Sequence, residues 1–355
     1  MINIGLIGCG YWGPNLLRSF MDCPGAVVSM VADLDQERLD YVRQKYPLVQ
    51  TTKNYSDLFC NSVDAVVIAT QPSTHYTFAK EALLNGKHVL VEKPLANSIE
   101  EAEDLIKLAH ERGLKLMVGH TFEYNEAVRE LKRQLKAGTV GKPYYFYSQR
   151  LNFGIVRKDV NALWNLAPHD ISILIYLLDM MPEAVSCRGY DFIQPGIDDV
   201  IFMVLQFPQN IIAHVQVSWL DPSKVRKMTV VGSEKMIIYN DMDNNKIQIF
   251  DKGIKKQNMG DSLGPYDDFG KYQLIKQAGD VMFPKIDFKE PLKEECLDFI
   301  ESIRDGRKPL TDGENGLRVV RVLQTAQASM DLNGVTLDLR RGSPESAKPS
   351  FATKF

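Results

Sequence analysis

Two short segments carry side chains that could do chemistry. VEKP (Val91–Pro94) ends an apolar run with Glu92 and Lys93, and NLAPHD (Asn165–Asp170) sets His169 ahead of a long apolar stretch. A partly desolvated lysine has a lowered pKa, and it can donate a hydrogen bond to an alcohol and help its proton leave. A neutral imidazole offers one nitrogen to accept a proton and a second for an orienting partner such as the adjacent Asp170. The bland alternatives are a surface lysine before a turn and a polar residue that opens a buried helix. The choice between them rests on the other half of the chemistry, an acceptor for hydride.

The N-terminal NIGLIGCGYWGPNLLRSF supplies that half. A short apolar strand, Ile2 to Ile7, turns through Gly8, Gly10 and Gly13. Gly8 permits the tight turn, Gly10 removes a side chain where a pyrophosphate must approach, and Gly13 lets helix and strand close. The next apolar segment, AVVSMVAD, ends at Asp33, twenty residues beyond Gly13. A carboxylate there accepts hydrogen bonds from adenosine ribose hydroxyls and repels a 2′-phosphate, which favours NAD over NADP. Arg38 follows five residues later.

These groups need a scaffold. VDAVVIAT, HVLVEKP and LKLMVG read as further buried strands, separated by helical patterns at HYTFAKEALLNGK and SIEEAEDLIKLAHERG, the latter opened by a Ser98/Glu101 capping box. Apolar strands alternating with helices require a mostly parallel sheet covered on both faces. The expected fold class is therefore α/β, with a Rossmann dinucleotide-binding domain over residues 1–120. Ligands of such sheets sit beyond the carboxyl ends of the strands, which selects Thr70, Gln71 and Pro72 after one strand and Glu92, Lys93 and Pro94 after the next. From 121 to 341 the pattern changes to long extended stretches. They predict a C-terminal α+β domain with an open, mainly antiparallel sheet for substrate binding and oligomerisation. Pro168 is expected to begin a helix with His169 in its first turn. Two late helices, near 292–303 and 316–330, could cover this sheet or pack back on the first domain. Residues 253–287 are expected to be a functional loop or a partner contact, and 342–355 a flexible tail.

Composition narrows the classes. With 42 basic and 45 acidic side chains the formal charge is −3, so no field for nucleic acid or an anionic membrane surface is expected. No uncharged run approaches the length of a spanning helix. Five scattered cysteines ask for no disulfide framework, and a cytoplasmic location is expected. The histidines have no compact ligand spacing, so no metal is expected.

GLIGCGYWG, EKPLA, WNLAPHD and the late EPLKEECLDFIESIRDGRKPLTDGENGLRVVRVLQTA together resemble the glucose-fructose oxidoreductase/inositol dehydrogenase (Gfo/Idh/MocA) family. The resemblance implies a two-domain NAD(P) enzyme that oxidises a sugar or polyol, assembled as a homodimer or homotetramer through the C-terminal sheet. It assigns Lys93 and His169 as catalytic and makes Pro94 a cis proline. It adds Tyr11, Trp12, Thr70, Pro72, His75 and Glu92 to the cofactor side. Asn165 stands where the polyol dehydrogenases carry an acid. An amide accepts no proton, so Asn165 is expected to orient substrate hydroxyls. YFYSQRLNFG and IVRKDVNALWNLAPHD look like the bacterial nucleotide-sugar 3-dehydrogenases, which oxidise C3 of UDP-N-acetylglucosamine or its glucuronate ahead of an aminotransferase in surface-polysaccharide or lipid A synthesis. In that resemblance Arg150, Asn152, Arg157 and Lys158 offer donors to an acidic sugar or diphosphate. A free-polyol dehydrogenase, a keto-sugar reductase and a non-catalytic NAD-bound sensor remain the alternatives.

Overall fold

The computed structural model describes residues 1–154, 156–251, 254–258, 272–276 and 279–341. Residues 253, 259–271 and 277–278 of the 253–287 segment, expected as a loop or partner contact, and the tail from 342 lie outside the described residues. The chain divides into two compact units. The first is Met1–Asn125 with Lys289–Thr325, and the second is Glu126–Phe288 with the residues from Ala326 onward.

The first unit is built on six strands, β1 (Ile2–Ile7), β2 (Ala26–Ala32), β3 (Gln50–Thr52), β4 (Ala65–Ile68), β5 (His88–Glu92) and β6 (Leu116–Gly119). They pair in the order β3-β2-β1-β4-β5-β6, every pair parallel. Alternate side chains feed two cores, because successive residues of a strand point to opposite faces. Ile4, Leu6, Val67 and Leu90 face α1 (Gly13–Met21) and a late helix, which adds Leu292, Cys296, Phe299 and Ile300. Val66, Ile68, Val89 and Val91 face α3 (Pro72–Leu84) and α4 (Ile99–Glu111), with Leu317 and Val320 from the end of the chain. A further helix, α2 (Gln36–Lys45), follows β2 and is capped by Asp35, whose side chain accepts from the Glu37 amide. The Ser98 hydroxyl caps α4 by accepting from the Glu101 amide at 3.2 Å, while the Glu101 carboxylate reaches the Asn97 amide at 3.0 Å. The capping box is therefore present, displaced by one residue on its return arm.

In the second unit α5 (Glu126–Lys136) precedes β7 (Pro143–Phe153), and α6 (Ala162–Leu178) precedes β8 (Ala184–Tyr190), β9 (Val200–Phe207), β10 (Ile211–Ser218), β11 (Leu220–Gly232), β12 (Met236–Asn240) and β13 (Ile247–Phe250). Then come β14 (Ile254–Asn258), β15 (Tyr272–Lys276), β16 (Val281–Met282) and, after the late helices, β17 (Leu337–Asp338). A nine-stranded sheet in the order β16-β13-β12-β11-β7-β10-β9-β8-β17 results, while β14 and β15 form a hairpin apart from it. Its pairs are antiparallel except β7 with β10. One face packs against α5 and α6. On the other, Tyr145, Phe202 and Ile212 are exposed.

The late helices are α7 (Pro291–Arg304) and α8 (Gly313–Asp331). All of α7 and the residues of α8 up to Thr325 join the first unit.

The start of α6 differs from expectation. The helix begins six residues before Pro168, at Ala162, because the Asn161 side chain accepts from the Trp164 amide at 3.2 Å and caps the first turn. Pro168 sits inside the helix, where its missing N–H cannot bond the Trp164 carbonyl. His169 therefore lies beyond the first turn, four residues after Asn165 and on the same helix face.

The close approach at the glycine turn gives a direct test. A Cβ on residue 13 would lie 2.3 Å from the Gly8 carbonyl oxygen, and that backbone cannot retreat without moving β1. Gly13→Ala is expected to lower unfolding stability by at least ~1–3 kcal/mol in denaturant melts.

Candidate active site

The glycine turn and the end of β2 form one end of a ligand site. Gly8 adopts φ +91°, open to glycine at little cost, and a Cβ there would press on the Ala69 carbonyl at 2.7 Å. Asp33 receives the Cys9 amide at 2.6 Å and the Asp35 amide at 2.9 Å, so its carboxylate is locked in place beside the turn. The Arg38 guanidinium lies 3.4 Å from that carboxylate and also stands against Gly10. A cleft of about 440 Å³ opens here between Gly10, Pro14, Asp35, Arg38 and Tyr41. These residues fit the adenosine and phosphate portions of a dinucleotide. Gly10 leaves the backbone bare for a phosphate, the first turn of α1 presents amide groups, and the fixed Asp33 marks the ribose position. Tyr11 is almost fully exposed and Trp12 half-buried.

Farther along the sheet edge, the ends of β4, β5 and β6 carry the remaining residues expected on the cofactor side. Pro72 opens α3, and Thr70 binds Thr74 through their hydroxyls at 2.7 Å. The Lys93–Pro94 peptide bond is cis. His75, buried, places Nδ1 2.7 Å from the Pro94 carbonyl oxygen and Nε2 3.2 Å from that of Thr70, tying the two loops together. Glu92 is buried, with the Lys93 amide donating to it at 3.3 Å and the Trp12 indole beside it. Burial pushes its carboxyl up to about 7, against the opposing pull of the Lys93 charge. His120 closes the group just beyond β6. Burial, the Lys93 charge and then Arg318 push its imidazole down to about 3.

In the second unit, α6 sets Asn165 and His169 on one face. The Asn165 amide oxygen accepts from the indole N–H of the buried Trp219 at 3.1 Å, which fixes the orientation of the amide. Trp219 carries no catalytic signature in the sequence; its place just after β10, inside the run VSWL, is the signal that points to it. Asp170 does not serve His169. Its carboxylate accepts from Arg150 Nε at 2.6 Å and from the Ser148 hydroxyl at 2.7 Å, forming a buried ion pair between α6 and β7. Arg157 is held by Asp159 through two parallel bonds of 2.8 and 2.6 Å. Both arginines expected as substrate donors are thus engaged by carboxylates of the chain. Asn152 is half-buried at the end of β7, its amide against Gly154.

Two measurements follow. Asp170→Ala leaves a buried guanidinium without its carboxylate, and a loss of about 3–5 kcal/mol is expected in chemical denaturation. For His120, the unfolded chain takes up a proton near 6.5 and the folded chain only near 3. The stability tied to its neutral form is full above pH 6.5 and is lost as pH falls toward 3. His120→Gln should flatten the fall in melting temperature over that window; an unchanged slope would clear His120 of this role.

Residues 2–120 match the model for the oxidoreductase family with an NAD-binding Rossmann fold, and residues 128–238 match the GFO/IDH/MocA C-terminal domain. The chain is 25% identical over 352 residues to scyllo-inositol 2-dehydrogenase (NAD(+)) of Bacillus subtilis, covering 95% of this chain and 96% of that protein. It is 28% identical over 323 residues to UDP-N-acetylglucosamine 3-dehydrogenase of Acidithiobacillus ferrooxidans, covering 89% and 93%. A solved structure of that protein superposes with a TM-score of 0.76, at 22% identity over 93% of this chain and 98% of the other. The match to 2,7-anhydro-N-acetylneuraminate hydratase of Escherichia coli, 27% identical, covers 61% of each chain. With a parallel dinucleotide-binding sheet followed by a mixed, mainly antiparallel one, this chain belongs to the Gfo/Idh/MocA family of NAD-dependent oxidoreductases.

Proposed function

We infer that the protein oxidises a secondary alcohol of a polyol or sugar with NAD. The observation that carries this reading is the end of β5, where Lys93 follows a buried glutamate at the edge to which ligands of such a sheet bind. NAD, when bound, supplies the hydride acceptor, held by Gly8, Gly10, Gly13 and Asp33. Lys93 donates a hydrogen bond to the reacting hydroxyl and stabilises the negative charge that develops on its oxygen. His169 takes the hydroxyl proton as the carbon loses hydride, so the C–OH becomes C=O. Asn165, its amide held by Trp219, orients a neighbouring hydroxyl. Arg150 acts behind them by anchoring α6 through Asp170.

A neutral polyol or sugar is the leading substrate class. A diphosphate asks for uncommitted cations, and Arg150 and Arg157 are each neutralised by a carboxylate of this chain. Oxidation at C3 of a UDP-N-acetylhexose is the second reading. It is favoured by the likeness to the Acidithiobacillus dehydrogenase over most of the chain, and by Asn165 in place of an acid. In that reading an aminotransferase would consume the keto product. Association of copies through the sheet face that exposes Tyr145, Phe202 and Ile212 belongs to the same proposal, and light scattering reads it directly.

The test is NADH absorbance, followed in both directions with inositols, free sugars, UDP-N-acetylglucosamine and its glucuronate. Turnover of an inositol or free sugar is expected, and reaction of the UDP-sugars alone would promote the second reading. Lys93→Met and His169→Ala should each lower kcat by about 10²–10⁴-fold while NAD still binds. Wild-type turnover in either variant would remove that residue from the mechanism.

A further inference from the structure

A second buried glutamate lies in the first unit, outside the roles assigned so far. Glu295, on α7, is 0% exposed, and neither carboxyl oxygen has a hydrogen-bond partner among the described residues. Its helix packs against the 3-10 turn Thr121–Tyr124 that follows β6. Glu92 is near enough for its charge to oppose ionisation of Glu295. Space for the Glu92 carboxyl is made by Gly119, its neighbour on β6, where a Cβ would stand 3.0 Å from Oε1.

The surroundings of the pair are sparing in positive charge. Lys93 and the Trp12 indole act on Glu92, and Thr121 is the hydroxyl beside Glu295. Asp298, one turn along α7, adds negative potential, and the thiol of Cys296 and the phenol of Tyr124 lie within reach of the Glu295 charge. The charges of Lys93 and Arg318 both act on His120, whose imidazole is neutral at neutral pH. An ionised carboxylate out of water, with one hydroxyl at most to offset its desolvation, costs several kcal/mol, so such a group keeps its proton instead. Two carboxyls within reach of each other then titrate as a pair.

We propose that Glu295 is carried as a neutral carboxylic acid at neutral pH, and that it is a positioning residue confining the negative charge beside Lys93 to the carboxylate of Glu92. This deepens the role given to Lys93 and rests on the proposed reaction only for its effect on turnover. Burial pushes Glu295 well above the usual carboxylate range, and the Glu92 charge pushes it further.

The NAD-saturated full chain, labelled with ¹³C in its glutamate carboxyls, tests this by carboxyl NMR from about pH 5 to 9. One glutamate resonance should stay at its protonated position through neutral pH, and a second should titrate near about 7. Glu295→Gln should remove the first and keep the second. Glu92→Gln should let the first titrate at lower pH, since the opposing charge is gone. Full ionisation of every glutamate at pH 7 in the wild type, a result that needs no variant to fold, overturns the proposal. So does a protonated resonance that survives Glu295→Gln. In turnover, Glu92→Gln withdraws the charge that favours the Lys93 cation, so the limb of the kcat–pH profile set by Lys93 should move to lower pH, with Glu92→Asp restoring it. An unmoved limb overturns the link to Lys93. Absence of any turnover overturns the proposed reaction and that link with it, while NMR decides the protonation of Glu295 by itself.

Discussion

At the first turn of the chain the backbone of Gly13 lies against the Gly8 carbonyl, closer than any side chain would allow. That contact fixes the angle at which α1 leaves β1, and with it the direction of the helix amides toward a phosphate. It also sets the shelf on which Phe20 meets Phe299 of α7, their rings edge to face at 6.4 Å. The position of α7 in turn brings Glu295 near Glu92 and Asp298 under Tyr124, whose hydroxyl donates to it at 2.6 Å. Steric tightness at one glycine pair is thus connected, through one packed helix, to the electrostatics around Lys93.

Much of the architecture was legible from pattern. Strands buried on both faces read as unbroken apolar runs, and AVVI has no polar residue while HVLVE has them only at its two ends. Periodicity does not name the partner that covers an apolar stripe, which is why the placement of α7 and α8 had to come from the structure. Pro168 misled for a related reason. Proline is most common at a helix start, and here the Asn161 cap and the burial of Ala162 and Leu163 outweighed the one hydrogen bond lost inside.

The site was legible in its residue types and less so in their partners. Lys93, Pro94 and the glycines stood out because each has a backbone or charge reason for its place. Arg150 looked like a ligand donor because a cation on a half-polar strand usually meets solvent. Its partner Asp170 lies twenty residues away on another element, where no spacing rule reaches. Trp219 and Glu295 were hidden for the same cause. A tryptophan or glutamate among apolar neighbours reads as packing or as surface until the polar atom it faces is known.

The first unit is assembled from two stretches of chain that flank Glu126–Phe288, the larger part of the second. During synthesis on a ribosome, β1 to β6 emerge early, with the surface meant for α7 and α8 still bare. Glu126–Phe288 must be made before those helices exist. The coenzyme platform therefore matures late although its signature comes first in translation, and a nascent chain must keep Leu6, Phe20 and Leu90 from other apolar surfaces in the interval.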